Sequence, residues 1–159
     1  MSEVSLSMRT VDRIHIRAPL ANAFPVASDV SRWPTILPHY RWVRFLERRG
    51  SGGVVEMAAH RPFGLVAYPT WWVSEMTVDG GRGEIRYRHI RGITTGMNVV
   101  WRLVPAGDGV DVTIVHEWIG PGWPLIGRLA ADLVIGPVFV HGIASRTLAG
   151  LKRHLEVAR

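Results

Sequence analysis

Between Tyr40 and Ile119 the sequence divides into six strand-like runs, "YRWVRFLER", "VVEMAAHR", "LVAYPTWWVSEMTV", "EIRYRHI", "MNVVWRLV" and "VDVTIVHEWI", separated by "RGSGG", "PFG", "DGGRG", "RGITTG" and "PAGDG". Connections this short, marked by glycine and proline, fold a chain back on itself, so the runs are expected to pair as successive antiparallel hairpins. An earlier run, "TVDRIHIRAP", sets Val11, Arg13 and His15 against Asp12, Ile14 and Ile16 and ends at Pro19, which makes it a first strand. Between it and the meander, "PLANAFPVASDVSRWPTIL" has proline at a helix start, an internal Pro25, Asp29 placed to cap a second helix and Pro34 placed to stop it. Two short helices fit this stretch.

From Pro124 the period changes. Val140, Ile143, Ala144, Thr147, Leu148, Leu151 and Leu155 recur at three- and four-residue spacing, the signature of a long amphipathic helix. Gly136-Pro137 predicts a kink, or a shorter helix ahead of the main one. A length of 159 residues, 47% of them hydrophobic and 20% charged, supports one core, and the reading is a single domain over residues 1–159. The fold class is α+β: a curved seven-stranded antiparallel sheet wrapped around a long C-terminal helix, with two short helices between strands 1 and 2. Such a wrap leaves a hollow between sheet and helix.

Several function classes find no support. There is no cysteine, hence no disulfide, thiolate metal site or cysteine nucleophile. The seven histidines stand apart without H-E-x-x-H spacing, so no metal is expected, and no phosphate-binding glycine loop or G-x-S-x-G elbow appears. No cofactor is called for. A net charge of +6 raises the question of an anionic partner, and "RWVRFLERR" interleaves basic and aromatic residues, but eighteen arginines are spread from Arg9 to Arg159. The plainer reading is a solvated strand, and nucleic acid is not expected as a partner. No apolar run reaches the roughly eighteen residues of a membrane span and no secretory signal is visible, so a cytoplasmic location is expected.

The order and spacing of several local patterns resemble a known group. They are Ala18-Pro19 after the first strand, "DVSRWP" from Asp29 to Pro34, Tyr40, "WVS" from Trp72 to Ser74, "MNVVW" from Met97 to Trp101, and "HEW" from His116. Together they are similar to the START-like helix-grip superfamily, and within it the polyketide cyclase/dehydrase group with its single-domain aromatase/cyclases. The resemblance implies a central cavity for a hydrophobic or polycyclic small molecule and, in the enzymes, aldol cyclisation and dehydration of a poly-β-ketone.

Carried over by position, the resemblance nominates Arg88, His116 and Tyr40 for catalysis and Trp33, Trp72, Ser74, Met76, Asn98 and Trp101 for ligand contact. Arg88 would hold an oxyanion, His116 would exchange protons and Tyr40 would donate a hydrogen bond. Alternation in "EIRYRHI" points the other way, setting Ile85, Tyr87 and His89 against Arg86 and Arg88 and sending the arginines to water. Met76 also departs from the aromatase/cyclase pattern, which has an arginine there; a thioether neither anchors an oxyanion nor donates a proton. The alternative reading is therefore a non-catalytic carrier of a quinone, lipid or other apolar metabolite.

The adjacent tryptophans in "TWWVSEMTV" must point to opposite faces of a strand. By the resemblance Trp72, Ser74 and Met76 face the cavity, leaving Trp71, Val73 and Glu75 outside, where Trp71 would suit a homodimer interface. The segment "WIGPGWPLIGRLAADLVIG" suggests weak membrane-surface contact through Trp118, Trp123 and Arg128, set against ordinary packing over the cavity mouth.

Overall fold

The structure is a computed structural model in which residues 8–63, 66–92, 94–118 and 137–157 are described. Strand β1 (Met8–Ile16) leads into helix α1 (Leu20–Ser28), a 3-10 turn (Val30–Arg32) and the single-turn helix α2 (Trp33–Ile36). Six strands follow: β2 (Tyr40–Arg49), β3 (Gly52–Phe63), β4 (Val66–Asp79), β5 (Glu84–Gly92), β6 (Asn98–Ala106) and β7 (Gly109–Trp118). Helix α3 (Pro137–Val157) closes the described chain. Every paired strand is antiparallel, and the sheet order β1-β7-β6-β5-β4-β3-β2 is a meander with β1 added beside the last strand. The seven strands, the two short helices and the long helix agree with the sequence reading.

Pro34 differs in detail. It lies in the first turn of α2 instead of ending a helix, a position where its missing N–H is no loss. The helix expected ahead of α3, with Trp123 and Arg128, falls outside the described residues.

Register shifts at Tyr40/Trp42 and Phe45/Glu47 in the β2–β3 pair, and at Val73/Ser74 in the β4–β5 pair, mark bulges. Bulges bend strands and increase their twist, which is how an open sheet comes to curve around a helix. The apolar stripe of α3 fills the concave side: Val140, Ala144, Thr147, Leu148 and Leu151 are buried beside Ile16, Val55, Ile85, Val112 and Ile114 of the sheet. Gly150 lets α3 approach α2, because Leu37 Cδ2 occupies the space a Cβ would need.

The other flank of α3 is polar. Asp12 of β1 bonds His141, Lys152 Nζ donates to the His15 carbonyl at 2.7 Å, and Glu156 accepts from Arg17 N at 3.0 Å. Lys152 and Glu156 also pair with each other at 2.7 Å. These contacts strap the helix along an edge strand and satisfy main-chain groups that no further strand takes.

On the convex face, cross-strand rows place Trp42, Ala58 and Trp71 side by side, with Arg44, Glu56, Val73 and Arg91 in the next row. Trp42 Nε1 and Arg44 Nε both donate to Glu56 Oε1, at 3.1 and 2.6 Å, and these donors and the Trp71 indole hold the Glu56 carboxyl below its usual range against the opposing effect of burial. Trp71 is 40% exposed, while Ala58 and Val73 are buried. Trp71 thus belongs to a small outer cluster of the sheet's own. Basic and aromatic residues of β2 are likewise engaged with one another: Arg41 lies 4.9 Å from the Trp42 ring centre and Arg48 lies 3.8 Å from that of Phe45.

Candidate ligand cavity and active site

The concave side of the sheet and α3 enclose a cavity of about 70 Å³. Its aromatic wall is built from α2 and the first residue of β2. Trp33 packs edge-on to Tyr40 with ring centres 5.1 Å apart and lies 5.6 Å from Trp101, while Tyr40 stands 6.3 Å from Trp72. Met57, Met97, Val99 and Ile114 complete the sheet side, and Val140, Ile143, Ala144 and Thr147 form the roof. Trp33 is held by its indole N–H, which donates to the Val26 carbonyl at 3.3 Å.

Tyr40 is less free than a catalytic donor would be. Thr147 Oγ1 donates to the Ile143 carbonyl at 2.8 Å, so it has only lone pairs for Tyr40 Oη at 3.2 Å and His39 Nε2 at 3.0 Å. Both must donate to it, which occupies the Tyr40 proton. Burial pushes the Tyr40 phenol up, the Thr147 bond opposing it, and burial with the nearby Arg146 charge pushes His39 down to about 4.

Two imidazoles face this aromatic wall. His89 stacks on Trp72 with ring centres 5.8 Å apart and planes 4° from parallel, and its Nδ1 meets Thr94 Oγ1 at 2.6 Å. The β5–β6 connection delivers Thr94. Gly92 and Gly96 both have positive φ, His89 N donates to the Met97 carbonyl, and Gly96 N donates to the His89 carbonyl, so the loop folds around this one residue. His116 enters from β7, with Nδ1 buried and without a hydrogen-bond partner among the described residues. Burial lowers His89 to about 4; burial, followed by the charge of His89, lowers His116 to about 3. Both rings are neutral near pH 7.

Tyr87 adds a further polar group, since it lines the cavity while its hydroxyl is buried without a partner among the described residues. Burial first, and the neighbouring Tyr40 second, raise its phenol. It remains a hydrogen-bond donor.

Of the residues expected in the site, Trp33, Tyr40, Trp72, Trp101 and His116 line the cavity. Ser74 and Met76 are buried on the same face as Trp72 but do not line the cavity, and Ser74 Oγ has no partner among the described residues. Arg88 and Asn98 do not reach the cavity. They pair with each other across β5 and β6 and both are exposed on the convex face. The physical reason is the pleat. Tyr87 and His89 are buried, so Arg88 between them points outward, and the extra residue opposite Val73/Ser74 is Ile90, too late in the strand to turn Arg88 inward. Among the described residues no arginine or lysine lines the cavity. Trp118, considered for a membrane surface, is buried and donates to the Thr95 carbonyl at 3.1 Å. No helix among the described residues is long and apolar enough to cross a membrane.

The positions missed are Tyr87, His89, Thr94 and Thr147. The alternation in "EIRYRHI" already placed Tyr87 and His89 inside, and the paired glycines of "GITTG" marked the loop that holds Thr94.

Comparison with known proteins agrees with this geometry. Residues 7–156 match the family model for polyketide cyclase / dehydrase and lipid transport. A putative polyketide cyclase of Streptomyces cyaneus is 28% identical over 127 residues, covering 79% of this chain and 82% of that protein. The granaticin polyketide synthase bifunctional cyclase/dehydratase of Streptomyces violaceoruber is 30% identical over 122 residues, 72% of this chain but 36% of that longer protein. The crystal structure of the Zhui aromatase/cyclase from Streptomyces sp. R1128 shares the fold, with a TM-score of 0.70 at 17% identity and 94% of each chain covered. A START-like sheet closed by its C-terminal helix, with an aromatic hollow between them, and a family match over nearly the whole sequence together make this chain a member of the polyketide cyclase/dehydrase and lipid transport family.

Proposed function

We propose that the protein is an aromatase/cyclase-type enzyme that binds a hydrophobic poly-β-ketone, or its polycyclic product, in the cavity and promotes aldol ring closure followed by dehydration. The observation that carries this reading is the placement of His89 and His116, both neutral, in a mostly aromatic and aliphatic wall. Ring closure begins with removal of a proton from a methylene flanked by carbonyls, and a neutral imidazole in reach of that carbon is a suitable acceptor. An enolate oxygen forming beside the ring supplies the counter-charge that burial denies the imidazolium, offsetting the cause of the low pKa. Tyr87, whose hydroxyl has no acceptor among the described residues, donates to the ligand oxygen where negative charge develops. Arg88 has no part in this scheme.

One observation favours the carrier reading: the absence of a cation from the cavity wall among the described residues, with Met57 and Met97 available to adapt to an apolar ligand. Tryptophan-fluorescence titration separates the two, since Trp33, Trp72 and Trp101 all report on the cavity. A hydroxylated polycycle is expected to bind the native protein, Tyr87→Phe to weaken it roughly tenfold, as loss of one buried hydrogen bond implies, and Arg88→Ala to leave it unchanged. His116→Ala is expected to abolish conversion of a poly-β-ketone substrate while retaining product binding. Preference for a long-tailed quinone, indifferent to Tyr87→Phe and His116→Ala, would establish the carrier instead.

A further inference from the structure

Three buried polar atoms without partners among the described residues lie on one small patch at the sheet edge: Thr10 Oγ1, Asp12 Oδ2 and His116 Nδ1. The β1–β7 register puts Thr10 directly opposite His116 and Asp12 opposite Ile114, so Asp12 is the diagonal neighbour of His116. Thr10 and Asp12 are two residues apart on β1 and share its concave face with Ile14 and Ile16. Directly opposed side chains have Cβ atoms roughly 4.5–5.5 Å apart and diagonal ones lie a few ångströms further, within reach of a bridging hydroxyl.

The chemistry of the three atoms is complementary. Asp12 Oδ2 only accepts, the Thr10 hydroxyl both accepts and donates, and His116 Nδ1 donates in one of the two neutral tautomers. A chain from His116 Nδ1–H to Thr10 Oγ1, and from Thr10 Oγ1–H to Asp12 Oδ2, would satisfy all three at once. No other tautomer of His116 does so. The second oxygen of Asp12 is already held by His141 Nδ1 of α3, whose side chain is 66% exposed, while that of Asp12 is 4% exposed. Among the described residues the other titratable groups that line the cavity with His116 are His89, Tyr87 and Tyr40.

We propose that Thr10 and Asp12 are positioning residues for His116, forming a relay that fixes it as the Nδ1–H tautomer and so presents the Nε2 lone pair to the bound ligand. This rests on the assignment of His116 as proton acceptor. When Nε2 takes a proton from the ligand carbon, the Nδ1 proton passes to Thr10 and the Thr10 proton to Asp12. The imidazolium formed beside the enolate is thereby returned to the neutral ring, and Asp12 carries the proton beside the solvent-facing His141. Buried carboxylates are rarely left with an unpartnered oxygen, and this arrangement gives that oxygen a purpose.

The test is the tautomer of His116 in the full-length protein labelled with ¹⁵N-histidine, read from two- and three-bond proton–nitrogen correlations at pH 7.5, with a His116→Asn sample to assign the signals. The native protein is expected to show Nδ1 protonated and Nε2 bare. In Thr10→Val and Asp12→Asn the Nδ1–H to Nε2–H ratio is expected to fall at least about tenfold, and Thr10→Ser is expected to restore it. A native protein with Nε2 protonated overturns the relay without recourse to any variant, as does a Thr10→Val protein that is folded and keeps the native tautomer. No ligand is needed, so a failed titration with the polycycle would remove the proposed activity and leave this result standing, and the reverse also holds.

Discussion

Acidification from pH 7 to pH 5 is expected to cost the fold on the order of 3 kcal/mol, a fall in melting temperature of roughly 10 °C for a chain of this size. The cause is the interior of the cavity. His89 and His116 are held neutral by burial, at about 4 and about 3, whereas the same residues in the unfolded chain take up protons near 6.5. Between those values the unfolded state binds more protons than the folded one, so stability is complete above pH 6.5 and is lost as the pH falls through the window below it. His39, lowered to about 4 and partly exposed, adds to the loss in the same direction. Surface His15 works the other way, since Asp111 and Asp108 raise it and its contribution grows as the pH drops toward 6.5. The lowered carboxyls of Glu56 and Glu84 begin to lose their contributions only as they protonate, near and below their ordinary range. Calorimetry between pH 7 and 5 therefore isolates the histidines. His89→Gln and His116→Gln are each expected to flatten the profile, and a melting temperature constant over this range in the native protein would falsify the neutral, buried assignment.

Replacing Trp33 by alanine is expected to destabilise the protein by about 3–5 kcal/mol. Trp33 is 2% exposed, sits between Tyr40 and Trp101, and fills the angle between the one-turn helix α2 and the sheet. Its removal deletes a large packed surface and leaves the Val26 carbonyl without its donor. Trp71→Ala provides the contrast. At 40% exposure, on the convex face, it is expected to cost about 1 kcal/mol, mainly through uncovering Ala58 and Val73. Urea unfolding of the two variants would check the ranking, and equal losses would mean that the aromatic wall is not a packed part of the core.

The meander was legible because hairpin turns are local chemistry: the strand runs and their order can be read from glycine spacing and alternation alone. The site was legible only in part, and the reason lies in one strand. Position by position, resemblance assigned Arg88 to the cavity, while the period of two in "EIRYRHI" assigned Tyr87 and His89 to it, and the pleat decides in favour of the period. Bulges are what make such conflicts hard to resolve beforehand. A single extra residue reverses every side chain beyond it, and nothing in the sequence shows that Ile90 is the extra one. The Tyr40–Thr147–His39 contacts were hidden for a different reason, because they join residues 107 and 108 positions apart whose meeting depends on how α3 lies over the sheet.

The two flanks of α3 are held by different sets of contacts, and the cavity beneath it is small. About 70 Å³ is several times less than the roughly 300–1,000 Å³ that encloses a drug-sized ligand, so a polycycle must displace part of the wall. Shifting α3 away from β1 breaks the bonds of His141, Lys152 and Glu156. Raising its opposite side gives up apolar contact with Leu37 and the bonds to Thr147. A guest that lifts the Thr147 side of α3 while the bonds to β1 hold would draw Thr147 off the Tyr40 hydroxyl and free that proton for its own oxygen.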